Sequence, residues 1–315
     1  MKLNQIYDKI AFEKFADSCN KGLKFGDGIL LARSLTKIDP TLIELKYPEN
    51  VFMNAGFDVS NVGGYANFVQ SLRVSGQGGF KTATASSGDQ GLISLAGEDS
   101  TIPVFERAAQ AVWTDTEVQQ AAMEGYNIAS RYVSEVDRIY KQDLDTAGLV
   151  GLKSGQYGIL NSTAFTAVPF SAAVDAGTAK AAYEAITAFI LQQRNAVFNT
   201  PEYMANKLFM PVTTFNWLQK TIFEATAGNG SVLKALQENY PEITFLPTPR
   251  AENVGATKVM SLVSTNANSI KMRLPVPLKN APLETNGFRK STDYVYRIAG
   301  IDVLESTCGL IGTGV

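Results

Sequence analysis

The chain has 315 residues, 45% hydrophobic and 18% charged, with 28 Lys+Arg against 30 Asp+Glu for a formal net charge of −2. That length fits about two domains with a sizeable core, the sparse charge fits a subunit that hides surface in interfaces, and the near-neutral balance excludes a dedicated DNA-binding module. Histidine is absent, which excludes Ser-His-Asp and Cys-His nucleophiles, H-E-x-x-H zinc sites and the two-His iron triad. Cys19 and Cys308 make no C-x-x-C pair. Two reduced thiols in a cytoplasmic setting is the reading they support. The start, MKLNQIYDKI, lacks the apolar run of a signal peptide. The charge-poor stretch 154–179 is broken by Ser, Thr, Asn, Gly and Pro, so no membrane span is expected.

Residues 1–50 carry eight Lys and Arg against seven Asp and Glu. Short amphipathic runs at Ile6, Ile10, Phe12 and Phe15, then at Leu30, Leu31, Leu35 and Ile38, stop at Pro40. This reads as an arm with too little apolar content to be a domain. Two alternating stretches follow, Phe68–Val74 and Ile102–Trp113. They flank a soft centre carrying Gly76, Gly78, Gly79, Gly88 and Gly91. The pattern predicts a β-ribbon over 65–113 with a long flexible tip, of the kind that is either functional or disordered.

Thr114 and Glu117 form an S/T-x-x-E capping box. Behind it Val118, Ala122, Gly125, Ala129, Tyr132, Val136 and Ile139 recur at helical spacing, and Gly148 offers a stop. This predicts one helix over 114–147, a rod of roughly 45 Å at about 1.5 Å per residue. Residues 151–173 read as loop, and 175–197 as a helix with Thr178 as N-cap. Strands are expected at 208–212, 243–246, 258–263 and 294–304, and short helices at 213–225 and 231–239. Alternation of this kind is an α/β lobe.

The chemical motifs do not assemble into an active site. Ser231-Val-Leu-Lys234 and Ser18-Cys-Asn-Lys21 match S-x-x-K but lack its S-D-N and K-T-G companions, so Ser231 reads as a helix N-cap. Gly76-Gln-Gly78-Gly79-Phe-Lys81 matches neither phosphate-loop pattern. Residues 98–145 hold ten acidic side chains against four basic, which reads as a solvated helix face rather than acid–base pairs. Residues 258–297 hold seven basic against two acidic, consistent with phosphate contact or with salt bridges between subunits. No catalytic, cofactor-binding or metal site is expected.

Four segments, in order, resemble the major capsid proteins of tailed bacteriophages. They are Leu31-Ala32-Arg33-Ser34-Leu35-Thr36-Lys37-Ile38-Asp39-Pro40 with Lys46-Tyr47-Pro48; Asp99–Val104 with Trp113–Glu117; Gly155-Gln156-Tyr157-Gly158-Ile159-Leu160-Asn161; and Met272-Arg273-Leu274-Pro275 with Tyr296–Val303. The resemblance implies an α+β fold, the tailed-phage capsid fold, also found in herpesvirus capsid floors and encapsulins. Its parts would be an N-terminal arm over 1–64, an extended β-ribbon loop over 65–113, a peripheral domain over 114–160 and 283–315 with the spine helix 114–147, and an α/β axial domain over 161–282. It implies a homo-oligomer of pentamers and hexamers closing an icosahedral shell around double-stranded DNA, which is contacted non-specifically. The implied partners are a separate scaffolding protein, a portal and a decoration protein, with no membrane. The implied location is the virion capsid, and the host cytoplasm during assembly. Inter-subunit contacts would come from the loop tip at Gly76, Gly78, Gly79, Lys81, Gly88 and Gly91, and Thr114 and Glu117 would start the spine helix. Some family members cross-link a ribbon lysine to a neighbour's asparagine, and Lys81 is this ribbon's only lysine.

Two other readings compete. An encapsulin-like nanocompartment shares the fold and would differ in holding cargo in place of nucleic acid. A soluble histidine-free carboxylate enzyme would form a small oligomer with a pocket of perturbed acids. Shortening the tip 75–91 is expected to impair assembly while leaving subunit folding intact, as checked by circular dichroism and electron microscopy of one preparation.

Overall fold

The computed structural model describes residues 50–79, 92–123, 127–153, 155–223 and 230–315. The arm helices expected within 1–49, Ser18 and Cys19, Lys81, Gly88, Gly91, Gly125 and the linker at 228–229 lie outside these residues. The chain divides into two compact units. One gathers residues 1–47 with Thr116–Ile128, and the other gathers Pro48–Asp115 with Ala129–Val315.

A single turn of helix, α1 (Val51–Asn54), precedes the short strand β1 (Asp58–Ser60). Strands β2 (Phe68–Gly78) and β3 (Ile93–Pro103) pair antiparallel as a two-stranded ribbon, and β4 (Phe105–Thr114) follows. The second alternating stretch, expected as one ribbon strand, is therefore two. Pro103, which has no N–H to donate, ends the ribbon pairing. Beyond it, β4 leaves the ribbon for a different sheet.

The single helix expected over 114–147 is also two. Helix α2 spans Asp115–Met123 and α3 spans Ile128–Leu149. The described residue between them, Asn127, is a poor helix former. Thr114 is the last residue of β4 and stands just before α2, while Asp115 donates its N–H to the Phe288 carbonyl at 3.0 Å. Nor does Gly148 end α3. A Cβ there would lie 2.3 Å from the Phe52 ring, so Gly148 admits a close approach from inside the helix. The stop comes at Gly151, with φ of 88°.

The rest alternates. Strand β5 (Thr166–Pro169) lies where loop was expected. Helix α4 (Ala179–Ala196) starts with Thr178 accepting from the Ala181 N–H, as expected. Strand β6 (Lys207–Pro211), helices α5 (Val212–Lys220) and α6 (Val232–Asn239), and strands β7 (Thr244–Thr248) and β8 (Val259–Val263) follow. Then come β9 (Ile270–Arg273), β10 (Val276–Asn280), β11 (Glu284–Asn286), β12 (Arg289–Ile298), β13 (Gly300–Val303) and β14 (Gly309–Thr313). The expected strand 294–304 breaks at Ala299, and Gly300, with φ of 93°, opens the next strand in another sheet.

Five strands form a mixed sheet in the order β5-β14-β8-β6-β7. Alternate residues feed two separate cores, as a period of two requires. Leu208, Met210, Met260, Leu262 and Leu310 face Ile186, Phe189, Ile190, Leu218 and Leu236 of α4, α5 and α6. Phe209, Val259, Val263 and Ile311 face Phe52, Leu144, Leu149, Ile298 and Met272. Strand β12 pairs with β4 over ten residues, from Arg289↔Thr114 to Ile298↔Phe105, and also with β10 and β11. Strands β1, β9 and β13 form a third sheet. No described helix is long and apolar enough to cross a membrane.

The segment Gly155–Asn161 caps the end of α3. Ile159 donates to the Gly148 carbonyl and Leu160 to that of Leu149, both at 2.9 Å. The Asn161 side chain donates to the Val150 carbonyl at 2.8 Å and accepts from the Gly158 N–H at 2.7 Å. These bonds satisfy helix-end carbonyls that would otherwise be orphaned in a buried place. At the same helix end, the buried carboxylate of Asp145 accepts from the Phe52 N–H at 2.6 Å and so caps α1. Burial raises its pKa, against the lowering effect of that bond and of Arg250.

A Cβ on Gly158 would fall 2.2 Å from the Leu149 carbonyl carbon. Gly158→Ala is therefore expected to abolish soluble folded protein, whereas Asn161→Ala should cost about 1–3 kcal/mol. Expression yield and thermal unfolding check the pair.

Candidate functional site

The ribbon is two-faced. One face carries Val69, Ser71 and Arg73, and the first two are buried against the body of the fold. The other carries Phe68, Leu72, Val74, Ile93 and Leu95, all at least 59% exposed. The register explains how these side chains lie. Val74 stands opposite Gly97, Leu95 opposite Gly76, and Ile93 opposite Gly78. Near the tip, each large apolar residue thus has a glycine as its cross-strand partner. The position of a Cβ on Gly97 would be 3.4 Å from Leu72 Cδ1, and that on Gly76 would be 3.9 Å from Leu95 Cδ2. Apolar side chains fold over bare backbone, and the result is a low strip open to a partner. Burying one Leu or Ile side chain contributes about 1.5–3 kcal/mol, so the strip offers on the order of 10 kcal/mol gross, before ordering costs.

The base of the ribbon is clamped by a buried polar node. Arg273 on β9 meets Asp302 on β13 at 2.8–2.9 Å, and their side chains are 11% and 1% exposed. Ser71 donates to the same Asp302 oxygen at 2.5 Å and accepts from Arg273 at 2.9 Å. Arg273 also reaches Ser60 Oγ at 3.0 Å, and Arg73 donates to the Val303 carbonyl. Strands β1, β2, β9 and β13 therefore meet through one guanidinium. Sequence reasoning missed this node, because residues 71, 273 and 302 are distant in the chain and each is unremarkable alone.

The sequence-derived site residues fall in several places. Gly76 and Gly78 lie within β2, and Gly79 follows it. Gly78 has φ of 135°, and a Cβ there would sit 2.2 Å from the Leu92 carbonyl oxygen. Thr114 ends β4 opposite Arg289, and Glu117 lies in α2. The ribbon glycines and Thr114 thus belong to different sheets and do not make one site. The alternation of Phe68, Leu72 and Val74 was a usable signal for the strip, and Ile93 and Leu95 continue it beyond the glycines.

The chemical motifs resolve into structural roles. Ser231 accepts from the Lys234 N–H at 3.3 Å as the N-cap of α6, while the Lys234 ammonium lies 3.8 Å from Glu238. In the basic stretch 258–297, Lys258 pairs with Asp175, Arg273 with Asp302, Lys290 with Asp115 and Arg297 with Glu106. These four of the seven basic residues are bridged within the chain. A groove of about 550 Å³ between α3 and the β4–β12 pair includes Arg107, Asp143 and Tyr296. Arg107 bonds Asp143 at 2.8 Å, and the Tyr296 hydroxyl donates to the same oxygen at 2.9 Å. Burial, with Asp143 beside it, pushes the Tyr296 phenol well above its ordinary range, so it keeps its proton at neutral pH. Burial likewise pushes the Cys308 thiol up to about 12, which leaves it inert. Among the described residues no group of three or more Cys, Asp or Glu is placed to hold a metal ion.

The sequence model of the major capsid protein family matches residues 81–309. The chain is similar to that in the capsid of Myoviridae phage XM1, at 31% identity and a TM-score of 0.78, covering 90% of this chain and 98% of that one. It shares the fold of the capsid chain of a native GTA particle, at 14% identity and a TM-score of 0.61 over 89% and 95% of the two chains. It also shares that of a chain from Mycobacterium phage Ogopogo, at 9% identity and 0.59 over 90% and 98%. No curated protein sequence matches.

Replacing Arg273 by Met would leave Asp302 buried without its cation, at an expected cost of about 3–5 kcal/mol. Thermal unfolding should register that loss, and limited proteolysis should find a loosened ribbon base around residue 71.

Proposed function

The chain belongs to the major capsid protein family, and from that premise we propose that copies of it close through pentamers and hexamers into an icosahedral shell around double-stranded DNA. The fold is the α+β fold of tailed-phage capsids, and the chain is a coat protein. The observation that carries the finer reading is the bare apolar strip of the ribbon. Five large side chains are held outward on a clamped hairpin, each at least 59% exposed and with no cover among the described residues. A two-stranded hairpin gains little stability alone. Laid across a neighbouring copy, it gains the burial it lacks. Ring-forming, head-to-tail contacts of this kind are what closed shells require.

In this reading the tip residues Gly76, Gly78, Gly79, Lys81, Gly88 and Gly91 touch the neighbour, and Thr114 and Glu117 open the spine of the peripheral domain. The arm covers 1–64, the ribbon loop 65–113, the peripheral domain 114–160 and 283–315, and the axial domain 161–282. The chain works without enzymatic activity. A separate scaffolding protein guides it in the host cytoplasm, and a portal and a decoration protein complete the virion shell. A near-neutral lattice contacts DNA non-specifically, without the tight grip that would hinder packing and release.

Electron microscopy of the chain, alone and with a co-expressed scaffolding protein, is expected to reveal closed shells. Nucleic acid in those from infected cells separates a capsid from a cargo compartment. A persistent monomer or dimer in both settings would sink the shell reading. Leu72→Lys with Leu95→Lys should leave the subunit melting temperature within about 1–2 °C, since both side chains are exposed, and should abolish shells. Normal assembly of that variant would refute the role of the strip.

A further inference from the structure

Helix α4 ends in a Schellman motif. Asn199 donates its N–H to the Arg194 carbonyl at 2.9 Å, and Phe198 donates to that of Asn195 at 3.2 Å. The geometry requires a left-handed residue just past the helix, which is why glycine is the usual occupant. Here that place is held by Phe198, with φ of 52°, and Asn199 follows at 54°. Asparagine tolerates this region; a bulky aromatic is strained in it. Among the described residues nothing compensates, because Phe198 is 90% exposed.

The exposure does not come from a loose loop. Thr200 donates to the Val197 carbonyl, and Tyr203 to that of Thr200. The buried amide of Gln193 holds both the Tyr203 carbonyl and the Ala205 N–H. Arg194 is occupied by Glu242 and lies over the Tyr240 ring. A fixed backbone thus presents an aromatic ring to solvent from a strained position, within an uncharged stretch at 195–201. Strain of this kind persists where another contact repays it.

We infer that Phe198 is an inter-subunit anchor, seated against a second copy of this chain in the assembled shell, at a contact separate from the ribbon strip. The inference rests on the coat-protein reading, since only a self-assembling chain supplies a second copy at every such ring. An aromatic ring in a desolvated pocket is the kind of side chain that dominates interface energetics.

Two variants separate strain from contact. Phe198→Gly should raise the melting temperature of the unassembled subunit by about 2 °C, because glycine fits the left-handed position, while lowering shell yield several-fold. Phe198→Ala should lower shell yield equally without raising the melting temperature. A direct readout is Phe198→Cys in a Cys19→Ser background, where buried Cys308 stays silent to a maleimide probe. The label should enter free subunits rapidly and be excluded at least tenfold from scaffold-free shells. Equal labelling of shells and subunits would overturn the inference alone. Protection confined to scaffold-containing precursors would also overturn it, assigning Phe198 to the scaffold. If no shells form in any setting, the coat-protein reading fails and this inference falls with it.

Discussion

Strand β8 is buried at all five of its residues, and it lies at the centre of a sheet with two apolar faces. Such a sheet cannot face water on either side, so it must be covered twice. Helices α4, α5 and α6 cover one face. The end of α3, the single turn of α1 and strands β9 and β12 cover the other. The Ser261 hydroxyl, on the second face, donates to the Ile159 carbonyl inside the turn that caps α3. Sheet, helix end and capping turn are thereby locked as one block. The β4–β12 pair and the ribbon are built out from it.

This block was largely legible in the sequence. Thr178 and Ser231 are N-caps because the physics of capping is local, and a hydroxyl at the right offset suffices. The α4 positions Ala182, Ile186, Phe189 and Ile190 face the core as their spacing requires. The breaks were harder to see. Apolar spacing continues across residues 124–127 and across Ala299–Gly300, and only the backbone preferences of glycine, asparagine and proline oppose it. Gly148 illustrates the ambiguity of a single residue type. It looks like a helix terminator, yet its missing side chain serves the Phe52 ring, and the terminator is Gly151 three residues on.

The candidate surface was half legible. The glycines at 76, 78 and 79 suggested a soft tip, but Gly76 and Gly78 are strand residues whose role is set by what stands opposite. That partner is a property of register, and at the ribbon base Ser71 meets Arg273 and Asp302 from more than 200 residues away in the chain. No local pattern carries such a contact. The same limit applies at Phe198, where the exceptional feature is a dihedral angle rather than a residue type.

The clamp also makes the ribbon a cantilever. From Ser71 to Gly78 the strand reaches about 23 Å at roughly 3.3 Å per residue, fixed at its base by the Arg273 guanidinium and by the Arg73 bond to the Val303 carbonyl. A beam held this way converts a small rotation of its root into a larger excursion at its free end: about 10° at the clamp moves Gly78 by roughly 4 Å at that length. Such a tilt would move the whole arm and leave its own strand pairing intact.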